Sequence, residues 1–147
     1  MIILVINCGS SSIKYQLLDM KNDDVYELLA KGIVEKIGLE CGRLQHTPVG
    51  KQKVVKDLPV PDHTVGMQIV LDALIDKEYG VLKSFDDIEA VGHRIVQGAD
   101  FFSGSAIVDE DVISKIDFCC DFAPLHNPAH LLGIRACQEV LPSVPQV

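Results

Sequence analysis

The clearest structural signal in this chain is residues 5–15, Val5-Ile6-Asn7-Cys8-Gly9-Ser10-Ser11-Ser12-Ile13-Lys14-Tyr15. It grows out of an apolar run at residues 2–6, which is typical of a buried β-strand and stops at Asn7. A glycine and three serines follow, and a second alternation of apolar and polar residues extends from Ile13 to Leu18. The pattern predicts two strands joined by a short turn of small residues.

The turn of this hairpin suits an anionic ligand, because small residues leave backbone N–H groups exposed and a concave run of them binds phosphate oxygens. Side chains alternate between the faces of a strand, so Ser10, Ser12 and Lys14 project to one side if the segment is extended. Asn7, at the strand end, offers a neutral oxygen ligand to a metal ion. The alternative is an ordinary hairpin, since serines favour turns for local hydrogen-bonding reasons alone.

Composition and charge limit the classes of function. With 147 residues, 48% of them hydrophobic and 23% charged, the chain is expected to form one globular domain with a real core. Its 13 basic and 21 acidic residues give a formal charge of −8, which argues against a nucleic-acid surface. An anionic small-molecule substrate is compatible with this charge, because the local field matters there more than the total.

The cysteines and the hydropathy predict a soluble, cytoplasmic protein with no membrane partner. Five cysteines are an odd number and form no C-x-x-C pair, so we expect reduced thiols and no zinc site. No basic leader with a cleavage-like site occurs, and no apolar run approaches the length of a membrane span.

The remaining chain predicts an α/β domain in which helices pack on a mixed sheet. The expected elements are a third strand at 24–34, a surface hairpin at 42–47 and 51–58, a helix capped by Asp62 or Thr64, a strand at 88–96, a short helix from Asp109, and a final helix with Asn127 as N-cap and Pro128 in the first helical position.

A cationic candidate lies on the predicted strand 88–96, where Gly92, Arg94 and Val96 share one face. A guanidinium beside a valine, with a glycine leaving room, fits a small molecule with a carboxylate and a short apolar tail. The planar fork of arginine binds both carboxylate oxygens. The alternative is a surface ion pair at the strand end.

A second candidate is His126, in the segment Ala123-Pro124-Leu125-His126-Asn127-Pro128. It precedes a helix start, where free N–H groups and the helix dipole favour anions. An imidazole there can stabilise charge on a phosphoryl group during transfer. The alternative is a histidine that only packs over the helix start. Of the other histidines, His93 is expected to be a packed structural residue, and the rest are expected to be exposed: His46, His63 and His130.

Three segments resemble, in order, the N-terminal motifs of the acetokinase family of short-chain carboxylate kinases. They are Asn7-Cys8-Gly9-Ser10-Ser11-Ser12-Ile13-Lys14, Val91-Gly92-His93-Arg94-Ile95-Val96 and Ala123-Pro124-Leu125-His126-Asn127-Pro128. The resemblance implies the fold of the sugar kinase, Hsp70 and actin superfamily, a ribonuclease-H-like mixed sheet flanked by helices. It also implies that residues 1–147 are the first of two domains and end before the family's catalytic aspartate.

Carried over position by position, the resemblance implies reversible transfer of the γ-phosphoryl group of ATP to acetate, which yields acetyl phosphate and ADP. Asn7 is then expected at the Mg²⁺ site, with Ser10, Ser12 and Lys14 along the phosphates of ATP. The resemblance implies that Arg94 binds the carboxylate and acts in catalysis, and that His126 contacts the phosphoryl group. The methyl group of acetate is expected to lie between two apolar walls, Val96 and Leu125.

Several alternatives stay open beside this interpretation. The family usually has His-Gly-Gly where this chain has Gln97-Gly98-Ala99. A loop that differs from the family's in shape or in substrate tolerance is therefore one alternative after the substrate-binding strand. The acceptor is open between acetate, propionate and another short-chain carboxylate. A non-catalytic nucleotide-binding module of the same fold is the rival class. The full-length protein is expected to be a homodimer, and the isolated chain is expected to be inactive.

Overall fold

A computed structural model describes all residues, Met1–Val147. Its strands and helices follow in the predicted order. They are β1 (Ile2–Gly9), β2 (Ser12–Met20), β3 (Tyr26–Glu35), β4 (Gly42–Pro48), β5 (Val54–Leu58), α1 (His63–Ile75), β6 (Ala90–His93), α2 (Glu110–Phe118) and α3 (Asn127–Val140). Short 3₁₀ turns cover Phe85–Asp87 and Cys119–Asp121.

The six strands form one mixed sheet in the order β5-β4-β3-β2-β1-β6. Neighbours from β1 to β5 are antiparallel, whereas β6 runs parallel to β1 and is reached through the crossover helix α1. Beyond β6, Gln146 forms a parallel bridge with Val91, so the end of the chain extends the sheet. The predicted mixed α/β sheet with packed helices is the observed architecture.

The core lies on one face of the sheet, under α1 and α3. In β1 the residues Leu4, Ile6 and Cys8 are buried, while the residues between them are half-buried on the opposite face. Helix α3 approaches β1 closely at Gly133, where an added Cβ would lie 2.4 Å from the Cys8 sulfur. The absence of a side chain at Gly133 therefore sets how closely the middle of α3 can approach the sheet.

The predicted strand at 88–96 is wrong at both ends, because β6 covers only Ala90–His93. The Arg94 N–H still donates to Ile6 O at 3.1 Å, but the chain then leaves the sheet. The Val96 N–H donates instead to a side chain of α3, His130 Nδ1, at 3.4 Å. Consequently Arg94 and Val96 do not share a strand face; they lie on an irregular segment.

The prediction that three histidines are exposed is also wrong. His46, His63 and His130 are all buried, with 0%, 7% and 3% of their surface accessible. Each has a hydrogen-bond partner that is remote in sequence, such as the Tyr15 hydroxyl 2.6 Å from His46 Nδ1. A buried imidazole is tolerated where the fold supplies such a partner, which hydropathy alone does not reveal.

All five cysteines are free thiols, as predicted, and three of them are buried: Cys8, Cys119 and Cys137. Burial raises the pKa of the Cys8 thiol to about 12 and that of Cys137 to about 12. Both thiols therefore stay protonated at neutral pH and pack as small apolar groups. None of the helices has the length and apolar character needed to cross a bilayer.

Candidate functional site

The first hairpin has the predicted form. Gly9 pairs with Ser12, which leaves Ser10 and Ser11 as the turn, and Asn7 lies directly opposite Lys14. The neighbours of Lys14 along β2, Ile13 and Tyr15, are buried in the core, so Ser12 and Lys14 belong to the other face of the sheet. Ser10 is exposed in the turn.

A histidine that the sequence argument overlooked supports this hairpin. His63, the first residue of α1, has its Nε2 atom 2.8 Å from the carbonyl oxygen of Gly9. The bond ties the end of β1 to the start of a core helix. Because the Gly9 carbonyl is hydrogen-bonded to His63, the turn that follows Gly9 is anchored to helix α1.

The open face of the sheet carries a cavity of about 560 Å³ whose charged residues are all basic. Three of the residues assigned to the site, Asn7, Lys14 and Arg94, line it together. Two further lysines, Lys31 and Lys53, complete its cationic lining. In a chain of net charge −8, a cavity with four cations and no carboxylate creates a local positive field that attracts anions.

Sequence reasoning missed Lys31 and Lys53 because their position depends on strand register. Lys31 pairs with Gln16, which in turn pairs with Val5 of β1. The sequence shows the alternation of side chains within β3. It does not show which residue of β2 lies opposite Lys31, because that depends on the register between the strands.

A second cavity, of about 780 Å³, adjoins the first at Arg94. Ten of its 18 lining residues are hydrophobic, among them Val96, Val112 and Ile116. Arg94 and Val5 line both cavities. The two cavities thus adjoin at Arg94, one with a cationic lining and the other half-apolar, and such a pair of spaces suits a carboxylate with a short apolar tail.

Four of the sequence-predicted site residues line neither cavity: Ser10, Ser12, Leu125 and His126. Leu125 is 82% exposed, so its assignment as a wall around a methyl group stays a prediction. His126 is exposed and serves as N-cap residue of α3, without a side-chain capping bond.

His126 and Arg94 both affect the pKa of His130. The rings of His126 and His130 are stacked, with centroids 6.3 Å apart and planes inclined by 22°. Burial lowers the pKa of His130, and the positive charges of His126 and Arg94 lower it further. His130 therefore stays neutral at neutral pH, which leaves its Nδ1 atom free to accept the bond from Val96.

His93 is a packed histidine, as predicted. Its Nε2 atom lies 2.6 Å from Gln146 Oε1, and burial lowers its pKa to about 4. The imidazole is neutral at physiological pH and joins β6 to the end of the chain. It contributes to the frame of the site and offers no charge to a ligand.

The loop Gln97-Gly98-Ala99 adopts a left-handed turn although its last residue is not glycine. Ala99 has a φ of 46°. The side-chain oxygen of Gln97 accepts a hydrogen bond from the Ala99 N–H at 2.8 Å. Since a left-handed alanine is strained, this local bond offsets part of the cost.

The donor set fits a Mg²⁺ ion that arrives with nucleotide phosphates and does not by itself form a complete metal site. Asn7 is the predicted ligand, and the cavity that it lines contains no carboxylate. No group of three or more His, Cys, Asp or Glu residues is arranged to hold a metal ion. Mg²⁺ commonly retains waters and takes most of its other ligands from substrate phosphates, so a single amide oxygen is an adequate protein contribution from this side.

The profile of the Acetokinase family matches residues 2–147. The chain belongs to the acetokinase family. It is 52% identical to acetate kinase of Alkaliphilus metalliredigens over 145 residues. The aligned residues are 99% of this chain and 36% of that protein. Acetate kinase of Clostridium acetobutylicum is 52% identical over 144 residues, 98% of this chain and 35% of that protein. This acetokinase chain therefore spans about a third of the length of these relatives.

Solved structures agree with the family assignment and confirm the predicted fold class. The crystal structure of Porphyromonas gingivalis acetate kinase superposes with a TM-score of 0.93 at 44% identity, over 99% of this chain and 36% of that one. A propionate kinase from Francisella tularensis superposes with a TM-score of 0.86 at 36% identity, over 99% of this chain and 35% of that one. The acetokinase chain thus has the mixed sheet with flanking helices that these kinases share.

Proposed function

We propose that this chain is the N-terminal domain of a phosphotransferase that transfers the γ-phosphoryl group of ATP reversibly to acetate, giving acetyl phosphate and ADP. One observation carries the proposal: Arg94 lines both the acid-free cationic cavity, together with Asn7 and Lys14, and the half-apolar second cavity. A carboxylate held by Arg94 faces the side on which phosphates are attracted, while its apolar tail has a separate space.

On the phosphate side, Lys14 and the hydroxyls of Ser10 and Ser12 would contact the phosphate oxygens of ATP. Asn7 would hold the Mg²⁺ ion that accompanies the nucleotide. When bound, that ion neutralises charge on the transferring phosphate oxygens. Support comes from the pairing of Asn7 opposite Lys14 at the end of the hairpin and from the cationic lining of the cavity.

On the acceptor side, Arg94 would bind both oxygens of the carboxylate, and Val96 and Leu125 would flank its methyl group. An acetate oxygen attacks the γ-phosphorus in line while the bond from that phosphorus to the β–γ bridging oxygen breaks. Acetate is already ionised at neutral pH, so the attack requires no general base. The residues of this chain therefore act by positioning and charge neutralisation, and His126 would stabilise the phosphoryl group during transfer.

A second carboxylate is a candidate acceptor of the phosphoryl group. A structural relative bears the name propionate kinase, and this chain superposes on it with a TM-score of 0.86. The half-apolar cavity beside Arg94 is large enough for more than a methyl group. Propionate or another short-chain carboxylate is therefore the second candidate substrate.

The wider properties of the whole protein follow from the family resemblance. We propose a cytoplasmic homodimer that exchanges ATP, ADP, acetate and acetyl phosphate and has no nucleic-acid or membrane partner. The net charge of −8 supports the absence of a nucleic-acid partner.

A chimera tests the function. In it, this chain replaces the matching 145 residues of the Alkaliphilus metalliredigens acetate kinase. We expect the chimera to form acetyl phosphate from ATP and acetate, measured by trapping as the hydroxamate. The isolated chain is expected to form none, because in-line transfer needs both substrates held together and relatives are nearly three times as long. A chimera that folds and binds ATP yet phosphorylates no short-chain carboxylate would indicate the non-catalytic module.

Replacing His126 with alanine in the chimera is expected to lower kcat by about a hundredfold and leave KM for ATP nearly unchanged. The reason is that its contact with the phosphoryl group strengthens only in the transition state. Melting temperature is measured on the same variant, and Gln138→Ala on α3 is the control. A destabilised but fully active variant would mean that the imidazole only packs over the helix start.

A further inference from the structure

Asn127 does not cap α3, contrary to its predicted role; it is the first residue of the helix and its side chain is directed elsewhere. Its Nδ2 atom donates to Gln97 O at 2.8 Å, and its Oδ1 atom accepts from Gln97 N at 3.2 Å. Nδ2 also lies 3.4 Å from Ile116 O of α2. The residue is completely buried. Asn127 therefore satisfies both backbone polar groups of Gln97, much as a neighbouring β-strand would.

His130, three residues after Asn127 in α3, binds the backbone of Val96, the residue before Gln97. Its Nδ1 atom accepts from the Val96 N–H at 3.4 Å, and its ring is buried and stacked on His126. The beginning of α3 thus binds the backbone at two consecutive positions, Val96 and Gln97.

These two attachments decide where Arg94 lies. On its N-terminal side, the ladder of β6 ends with the Arg94 N–H bonded to Ile6 O at 3.1 Å. On its C-terminal side, the chain has left the sheet. The Val96 N–H and both backbone polar groups of Gln97 are instead bonded to side chains of α3. Arg94 is therefore fixed between the sheet and the start of α3.

We propose that Asn127 is a positioning residue, which, with His130, joins the Arg94 segment to the start of α3 and so holds Arg94 and His126 in one rigid arrangement. The inference rests on the proposed function, since Arg94 and His126 are the groups assigned to acetate and to the phosphoryl group. Asn127 itself touches no substrate in this assignment. Its effect on the reaction passes through the backbone of Gln97.

The test compares Asn127→Ala, Asn127→Asp and His130→Ala in the chimera. Loss of the Asn127 amide leaves both backbone groups of Gln97 without a partner, which loosens the segment that follows Arg94. We expect kcat/KM for acetate to fall by about tenfold or more in Asn127→Ala, because small misplacements of reacting groups are costly. KM for ATP is expected to stay within about twofold, since the phosphate side is untouched. In Asn127→Asp a carboxylate oxygen replaces the Nδ2 donor and faces Gln97 O and Ile116 O in a buried site, so kcat/KM for acetate is expected to fall at least as far as in Asn127→Ala.

Asn22→Ala is the matched control, because the Asn22 side chain also binds backbone, accepting from Asp24 N at 3.1 Å and Val25 N at 3.0 Å. That turn is exposed, connects β2 to β3 and lines neither cavity. We expect the control to keep the kinetics of the parent. An Asn127→Ala enzyme with a lowered melting temperature but unchanged kcat and KM for acetate would overturn the proposal.

Amide hydrogen exchange at Val96 and Gln97 separates failure of this inference from failure of the proposed function. If the parent chimera is inactive with acetate, the proposed function fails. Faster exchange at these two amides in Asn127→Ala than in the parent still supports the attachment of the segment after Arg94 to the start of α3. Unchanged exchange there would overturn it whatever the activity of the parent.

Discussion

Replacing Arg94 with alanine in the chimera is expected to lower kcat/KM for acetate by about ten- to a hundredfold and leave KM for ATP nearly unchanged. A charge-assisted pair contributes about 1.5–3 kcal/mol, which corresponds to that range. The expected selectivity follows from position, because Arg94 is the cation that borders both the phosphate-side cavity and the half-apolar one. The measurement is initial rate against acetate and against ATP, each at saturation of the other.

The lysine variant sharpens this prediction. Arg94→Lys should recover only part of the loss, because an ammonium keeps the charge but lacks the planar fork that binds two carboxylate oxygens. Arg43→Ala is a suitable control, since Arg43 is paired with Asp57 at 2.6 Å on the outer strands. If both Arg94 variants kept the parent's kinetics with acetate, Arg94 would be an ordinary surface arginine and the acceptor site would lie elsewhere.

Replacing Gly133 with alanine is expected to lower the free energy of unfolding of the chain by about 1–3 kcal/mol. The new Cβ atom would lie 2.4 Å from Cys8 Sγ and 3.0 Å from Cys8 Cβ, so α3 or β1 must shift. The gain in helix propensity from glycine to alanine, about 1 kcal/mol, offsets part of this cost. Urea unfolding followed by circular dichroism measures the difference.

A double-mutant cycle tests the cause of that loss. Cys8→Ala removes the sulfur that the new methyl group would meet, so Cys8→Ala/Gly133→Ala should be less destabilised than the sum of the two single variants. Gly104→Ala is the control, because nothing lies within 4 Å of a Cβ placed there. Equal effects at positions 104 and 133 would contradict the proposed clash between α3 and β1.

Local sequence patterns predicted the elements well where the signal lies within a few residues. The apolar run before Asn7, the small residues at 9–12 and the renewed alternation from Ile13 specify a hairpin without reference to the rest of the chain. The observed register, with Asn7 opposite Lys14, follows from the two-residue turn. The helix start after Asp62 was predictable for the same reason, since the Asp62 carboxylate accepts from Val65 N at 2.8 Å.

The errors share a physical cause, which is that the partner of the residue in question is distant in sequence. Asn127 before Pro128 has the pattern of an N-cap, yet burial against the loop at Gln97 offered its amide two backbone partners at once. His130 was expected to be exposed, but it is buried and accepts from Val96. The predicted strand through Val96 failed because these same bonds draw the chain out of the sheet after Arg94.

Local patterns alone predict the kind of chemistry available: a small-residue hairpin with Asn7 and Lys14, an arginine followed by an apolar segment, and a histidine before a helix. Such information is local, because turn residues, strand alternation and helix starts depend on a few neighbouring side chains. Local patterns do not show that Arg94 borders two cavities, that Lys31 and Lys53 join Lys14, or that α3 holds the backbone beyond Arg94; these are properties of the folded chain. These features depend on strand register and helix packing, in which residues far apart in sequence compete for the same hydrogen bonds and the same buried space.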